Sequence, residues 1–216
     1  MVLWSMVCML AAAQEAPAAP APAAPVTYTL QPANSWLYVV VYNDPTSIGS
    51  RFGHDHAIRA TSFTGKVVWD LSNPGACKVD LSFPVTALVP DPPGMRERAG
   101  LAADGAVGAS SLETIKTNLL SASQLDASAF PTISYKATKC EGTTGKVKVT
   151  GDLTIHGKSV PVTTTLDVTA DAARFTAAGS FTAAASQFGF SPFAAMAGAL
   201  RNKDEMKFVL EVTGAP

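Results

Sequence analysis

Apolar and polar residues alternate along most of the chain from about residue 28 onward. A period of two places one set of side chains on each face of a β-strand, so the alternation predicts strands with one buried face. The alternating segments are 62–71, 77–85, 132–138, 146–155, 160–168 and 206–213, with a weaker, Ala-rich strand at 174–185. Segment 36–42 is apolar at nearly every position, which predicts a strand that is covered on both faces.

Turn-forming residues separate these segments, as at Asn73-Pro74-Gly75 and in 142–145 and 156–158. Strands that follow one another without intervening helices are typical of an antiparallel meander. Closing the meander into a barrel removes its exposed edges. The pattern therefore predicts an all-β protein built on an antiparallel β-barrel.

One stretch, residues 90–129, breaks the alternation. Within it Leu112, Ile115 and Leu119 recur at helical spacing, and Ser110 with Glu113 forms a capping-box pattern before them. We predict a helix over 111–120, preceded by a looser segment at 95–101. A helical excursion between two barrel strands can plug or cover one mouth of the barrel.

The first 25 residues resemble an export leader followed by a spacer. A short apolar run at 2–10 leads into three alanines, so we predict a signal peptide over 1–13, although no Lys or Arg precedes the run. Cys8 follows the bulky Val7, which disfavours lipid attachment there. Residues 14–25 are rich in Ala and Pro and predict an extended linker. One domain at 26–216 follows, and we expect a periplasmic or secreted protein.

Composition narrows the possible partners. The net charge is -1, from 16 basic and 17 acidic residues, and no basic stripe or tail is visible. Binding to nucleic acid and electrostatic capture on an anionic membrane are therefore not expected.

Two cysteines, Cys77 and Cys140, follow the leader, and an even pair in an exported chain predicts a disulfide. Cys77 begins one strand and Cys140 ends the next strand after the helical excursion. The alternation places the two cysteines on opposite faces of the sheet, because Cys77 aligns with the inward residues of its strand and Cys140 with the outward Lys136 and Thr138. This is a conflict of parity, since a disulfide needs both side chains on one face. A β-bulge near Lys139 would resolve the conflict.

Histidines offer the main alternative chemistry. His54 and His56 are two apart, so they share a face of a regular strand, and His156 is the only candidate for a third metal ligand. This set defines the alternative function, a metal- or haem-associated redox or stress accessory. The pair can equally bind backbone or a ligand head group, and we favour that interpretation, with no metal and no cofactor. Asp91 has no partner evident from the sequence. No G-x-S-x-G motif is present, so we predict that the protein is not an enzyme.

Several segments together resemble the YceI-like family of exported lipid-binding proteins. They are SFTGKVVWDL, VPDPPGMR, LDASAFPTISYKAT, VTGDLTIHGKSVPV, the Phe188-Gly189-Phe190 triplet and EMKFVLEV, in matching order from about residue 26 to 213. The resemblance implies a lipocalin-like barrel whose apolar tunnel holds an isoprenoid or another chain-like amphiphile, with no catalytic residues. This chain has Ser186 and Gln187 where the family commonly has a charged residue before Phe-Gly, and its Gly53-His54-Asp55-His56 segment is unusually rich in histidine.

The residues with inward parity are the candidate ligand-binding set. They are Phe63, Trp69, Leu81, Phe83, Ile133, Tyr135, Leu153, Ile155, Phe175, Phe181, Phe208 and Leu210. Parity alone fits a packed core as well as a tunnel, because side chains can fill an eight-stranded barrel. Small inward residues, namely Gly65, Ala137, Gly151, Ala177 and Gly179, favour a tunnel by leaving room.

We therefore predict an exported binding or carrier protein for a chain-like apolar ligand, an isoprenoid or a fatty-acid-like amphiphile. A structural barrel with a filled core is a third possibility. The partner expected is a long-chain lipid rather than nucleic acid. The sequence leaves open whether the protein forms a homodimer.

Overall fold

The computed structural model describes residues 24–216. The predicted signal peptide, and all but the last two residues of the predicted linker, lie outside the described residues. Within them the strands are β1 (Val26–Leu30), β2 (Trp36–Asn43), β3 (His56–Ala60), β4 (Thr64–Trp69), β5 (Lys78–Pro84), β6 (Leu88–Pro90), β7 (Thr132–Thr143), β8 (Gly145–Ile155), β9 (Lys158–Ala170), β10 (Phe175–Ala184), β11 (Ala194–Ala195) and β12 (Leu200–Ala215). The helices are α1 (Met95–Arg98) and α2 (Ala109–Leu120), with short 3-10 turns between elements.

The strands close into an eight-stranded antiparallel barrel, which confirms the predicted fold class. Three barrel strands are interrupted, and each consists of two consecutive elements: β1 with β2, β3 with β4, and β5 with β6. The β1–β2 strand pairs with the β3–β4 strand along both halves, β1 with β4 and β2 with β3. The β3–β4 strand pairs in the same way with the β5–β6 strand, β4 with β5 and β3 with β6. The meander then continues through β7, β8, β9 and β10 to β12, and β12 pairs back with β1 and β2 to complete the circle.

Turns and prolines cause two of these interruptions. Pro32 begins the 3-10 turn between β1 and β2, and Pro84 ends β5 immediately before the turn Val85–Ala87. Proline lacks the N–H that a strand donates to its neighbour, so the ladder breaks at these points. Beyond the breaks, β7 pairs with β5 and does not extend along β6, and α2 packs against β6 instead.

The barrel has two different ends. The closed end carries the segments 70–77 and 171–174, and the open end carries 44–55, 91–131 and 185–199. None of the helices in residues 24–216 is long and apolar enough to cross a membrane.

Helix α2 matches the predicted helix but begins two residues earlier, and the predicted capping box is wrong. The N-cap is Gly108, whose backbone is extended and which makes no side-chain capping bond. Ser110 therefore lies inside the first turn, where its carbonyl accepts a hydrogen bond from the Thr114 hydroxyl at 3.1 Å. Only a residue outside the first turn can cap it, because the cap must precede the helical backbone.

Strand β2 is covered on both faces, as its continuous apolar sequence indicates. Its inward residues belong to the barrel core, while Tyr38 and Val40 form a second buried cluster outside the barrel with Ala57 and Met95 of α1. Beside this cluster, the guanidinium groups of Arg59 and Arg98 lie 3.8 and 4.2 Å from the ring centre of Trp36.

A disulfide joins Cys77 to Cys140 near the closed end, with the two Cα atoms 6.0 Å apart. A β-bulge at Thr138 makes the pairing possible. Ala137 pairs with Gly151 and Lys139 pairs with Thr150, so Thr138 is the extra residue. Both Thr138 and Lys139 point to solvent, and Cys140 returns to the inward side, where it is buried beside Val149. The parity conflict in the sequence is thus resolved by a bulge one residue from the predicted position.

Candidate functional site

The interior of the barrel contains an apolar cavity of about 540 Å³ that opens at one end. Its volume lies within the range of small-molecule sites. The structure places ten of the twelve predicted ligand-binding residues on the cavity wall. They are Leu81, Phe83, Ile133, Tyr135, Leu153, Ile155, Phe175, Phe181, Phe208 and Leu210. The Phe181 and Phe208 rings are stacked across β10 and β12 with their centres 5.0 Å apart.

The other two predicted residues, Phe63 and Trp69, do not line the cavity. Both belong to one buried cluster, and Phe63 lies just before β4, six residues from Trp69. At the closed end, the Trp69 ring lies 5.8 Å from that of Phe175, and the Tyr28 ring lies 5.5 Å from that of Phe175. This aromatic cluster forms the floor of the cavity. Burial, together with the nearby charge of Asp171, raises the pKa of Tyr28, whose hydroxyl donates to the Asp171 carbonyl oxygen.

Most of the small inward residues do not provide room for a ligand, contrary to the prediction. A Cβ at Gly65 would meet Leu30 and Leu81, and a Cβ at Gly179 would meet Leu166. These glycines accommodate larger neighbours, so they adjust the packing of the wall. Of the five small residues, only Ala177 borders the cavity.

Gly151 illustrates the same effect deeper in the wall. A Cβ there would lie 2.5 Å from the ring and hydroxyl oxygen of Tyr135, so the absence of a side chain lets the tyrosine cross over β8. Burial, and secondarily the charge of Asp152, raise the pKa of Tyr135 to about 12. The Tyr135 hydroxyl therefore stays protonated over the physiological range, and the wall carries no charge at this position.

Polar side chains on the cavity wall are concentrated at the open end. They come from the loop before β3 and the first residue of β3, from α2 and the segment after it, and from the start of β12: His54, His56, Ser111, Asn118, Gln124, Asn202 and Lys203. Strand register orders the layers, because His56 pairs with Val41, and Ile58, two residues further in, pairs with Val39. The mouth is therefore polar and the next layer is apolar.

Asp91 joins His56 at the mouth, a contact that was not predicted from the sequence. The Asp91 carboxylate is 2.7 Å from His56 Nδ1 and 3.1 Å from a guanidinium nitrogen of Arg96, and it accepts the Ala57 backbone N–H at 2.7 Å. Burial opposes ionisation, but these hydrogen bonds outweigh it and lower the pKa of Asp91. Asp91 and Arg96 both lie in VPDPPGMR, where two charges in a short apolar segment were the available signal.

The three histidines have different surroundings. His54 lines the mouth with its ring centre 6.4 Å from that of His56. His156 occupies the turn between β8 and β9, where it and Gly157 both have positive φ, as a type I′ hairpin requires, and its ring packs against Phe130 and Phe190. Across residues 24–216, no three side chains of His, Cys, Asp or Glu form a group that would hold a metal ion. The metal- or haem-associated function stays a hypothesis.

Ser186 and Gln187, the departures from the family pattern, stabilise the turn after β10. The Ser186 N–H and hydroxyl bind the Asp204 carboxylate, and the Gln187 side chain accepts the Ala184 N–H at 2.8 Å. Neither residue lines the cavity.

A closed antiparallel barrel, an apolar interior with an aromatic floor and a polar mouth define the class of lipocalin-like barrel binding proteins. Residues 28–213 match the family model of the YceI-like domain, and the chain belongs to the YceI-like family.

Solved structures show the same fold. BcnA of Burkholderia cenocepacia superposes with a TM-score of 0.62 at 18% identity, over 85% of this chain and 98% of BcnA. The Campylobacter jejuni YCEI protein gives 0.55 at 15% identity, over 74% of this chain and 84% of that one. At these identities the likeness establishes the fold alone. No curated protein sequence matches the chain.

Proposed function

We propose that this protein binds and carries a chain-like apolar ligand, an isoprenoid or a fatty-acid-like amphiphile, without chemically changing it. The observation that carries the proposal is the distribution of polarity in the cavity: apolar from the aromatic floor upward, and polar at the mouth. An amphiphile inserted chain first would bury its tail and leave its head group among the polar residues.

The dimensions of the cavity favour an elongated ligand. Lining residues on one side extend from Phe175 to Ala185. Ten residues of strand span about 33 Å, which at the usual tilt of barrel strands is about 25 Å along the barrel axis. A compact ligand would leave much of this length empty.

Export to the periplasm or the exterior is part of the proposal. The Cys77–Cys140 disulfide supports it, because such bonds persist in oxidising compartments. The apolar leader at 2–10 supports it independently.

Organic extraction of the purified protein followed by mass spectrometry tests the proposal. We expect one chain-like amphiphile per protein molecule, or, from a preparation stripped of lipid, saturable uptake of 1-hexadecanol. Failure of the stripped protein to take up any long-chain probe would contradict it and would favour the structural barrel.

A further inference from the structure

A buried carboxylate orients one histidine at the mouth of the cavity. The Asp91 side chain is 3% exposed and that of His56 is 13% exposed. Asp91 holds His56 Nδ1 with one carboxylate oxygen and the Ala57 N–H with the other, each at 2.7 Å. Two bonds from neighbouring residues of β3 to one carboxylate leave the imidazole little freedom to rotate.

The contact determines which ring nitrogen carries the proton. An ionised carboxylate only accepts hydrogen bonds, so His56 Nδ1 must be the donor. In the neutral imidazole, Nε2 is then an acceptor. His56 forms part of the cavity wall, next to the apolar layer of Ile58, so a neutral His56 would supply this acceptor at the mouth.

The adjacent positive charge is already compensated. The Arg96 guanidinium binds Asp91, the Asp55 carbonyl at 2.6 Å and the Ala102 carbonyl at 2.7 Å. Its side chain is only 13% exposed. Arg96 therefore stabilises the carboxylate and does not offer its charge to an anionic head group.

We infer that His56, oriented by Asp91, recognises a neutral head group that donates a hydrogen bond, such as the hydroxyl of a long-chain alcohol or phenol. The inference rests on the proposed function, because it assumes that the tail occupies the cavity. His56 is the binding residue, and Asp91 is a positioning residue that acts through it.

Two probes with the same chain separate the head group from the tail. Binding of 1-hexadecanol and of its methyl ether, 1-methoxyhexadecane, is measured by equilibrium dialysis with protein stripped of lipid. The ether keeps an acceptor oxygen but has no hydrogen to donate. We expect the alcohol to bind about 3- to 10-fold more tightly, which corresponds to one net hydrogen bond.

Substitutions assign the preference to residues. His56→Phe should bring the two affinities within about twofold of each other, because it removes the acceptor and keeps a planar ring. The control is His156→Phe, since His156 is outside the cavity wall. The preference should survive there.

The positioning role of Asp91 has a separate readout. Asp91→Asn can donate as well as accept, so it no longer selects the Nδ1-protonated tautomer. Nitrogen NMR of His56 should show an unprotonated Nε2 in the wild type and a mixture of tautomers in Asp91→Asn. The alcohol preference should fall in parallel.

The outcomes are distinguishable. If neither probe binds the wild type, the proposed function fails. If both bind equally, or if anionic hexadecanoate binds more tightly than the alcohol, the tail is held but the head-group inference is overturned. Loss of the preference in His54→Phe with retention in His56→Phe would also overturn it.

Discussion

Leu81→Trp tests whether the interior of the barrel is a ligand cavity or a packed core. Leu81 is half-buried on the cavity wall, on β5 between the floor and the mouth. In a filled barrel the larger indole would overpack its neighbours and cost about 1–3 kcal/mol. Facing open space, it would instead bury roughly 50 Å² more apolar surface, a gain of about 1 kcal/mol that offsets residual strain.

Melting temperatures and ligand load separate the two cases. Since 1 kcal/mol shifts the melting temperature of a protein of this size by about 2–4 °C, a packed core predicts a drop of about 2–12 °C. The cavity predicts a change within about 4 °C for the lipid-free protein. The amount of 1-hexadecanol retained per molecule should fall below half, because the indole occupies the path of the chain.

Ser82→Trp is the matched control. Ser82 is the next residue on β5 and faces the outside of the barrel, where its hydroxyl is 3.2 Å from that of Thr64. Loss of this exposed hydrogen bond costs about 0.5–1 kcal/mol at most, and ligand retention should stay close to wild type. If Leu81→Trp keeps its full ligand load, or unfolds while Ser82→Trp does not, the cavity at this position is refuted.

Three further outcomes follow from the structure. Because folding lowers the pKa of Asp91, the ionised carboxylate contributes its full stabilisation above about pH 3.9, its ordinary pKa, and this stabilisation is lost as pH falls through the lower folded pKa. The free energies of unfolding of wild type and Asp91→Asn, measured between pH 2 and 6, should therefore converge at the acid end. Replacing Cys77 and Cys140 by Ser should lower the free energy of unfolding in urea by about 4 kcal/mol, since the bond closes a long loop, and an unchanged urea midpoint would contradict this. Gly151→Ala should cost about 1–3 kcal/mol by displacing the Tyr135 ring, with a matching loss in the near-ultraviolet tyrosine dichroism.

Alternation with a period of two was sufficient to predict the long strands β4, β5, β7 to β10 and β12 with their inward faces, because side-chain direction in a strand depends only on local backbone geometry. The short strands β1, β3, β6 and β11 were not predicted, since two to five residues are too few to show the period. Ten of the twelve inward residues proposed on this basis do line the cavity. The conflict of parity at Cys140 was equally local, and it indicated a bulge that the structure places at Thr138.

Position along the barrel axis is a property of strand register, which the alternation does not contain. Trp69 and Leu81 have the same inward parity, yet register places Trp69 in the floor and Leu81 on the wall. The role of Gly151 likewise depends on the neighbour that register puts opposite, since Tyr135 takes the space that the glycine leaves. Parity therefore identifies the inward residues, but it does not show which of them form the floor of the cavity, which line its wall and which only make room for a larger neighbour.

The contact between His56 and Asp91 was determined by tertiary structure alone. The two residues are 35 positions apart, on the strand β3 and at the first residue after β6, and the pairing of these strands brings them together. A hydrogen bond between side chains leaves no periodic trace in a single sequence, because each partner is an ordinary polar residue in its own segment. The long strands and their buried faces were thus predictable from local chemistry, whereas the polar mouth of the cavity was decided by closure of the barrel.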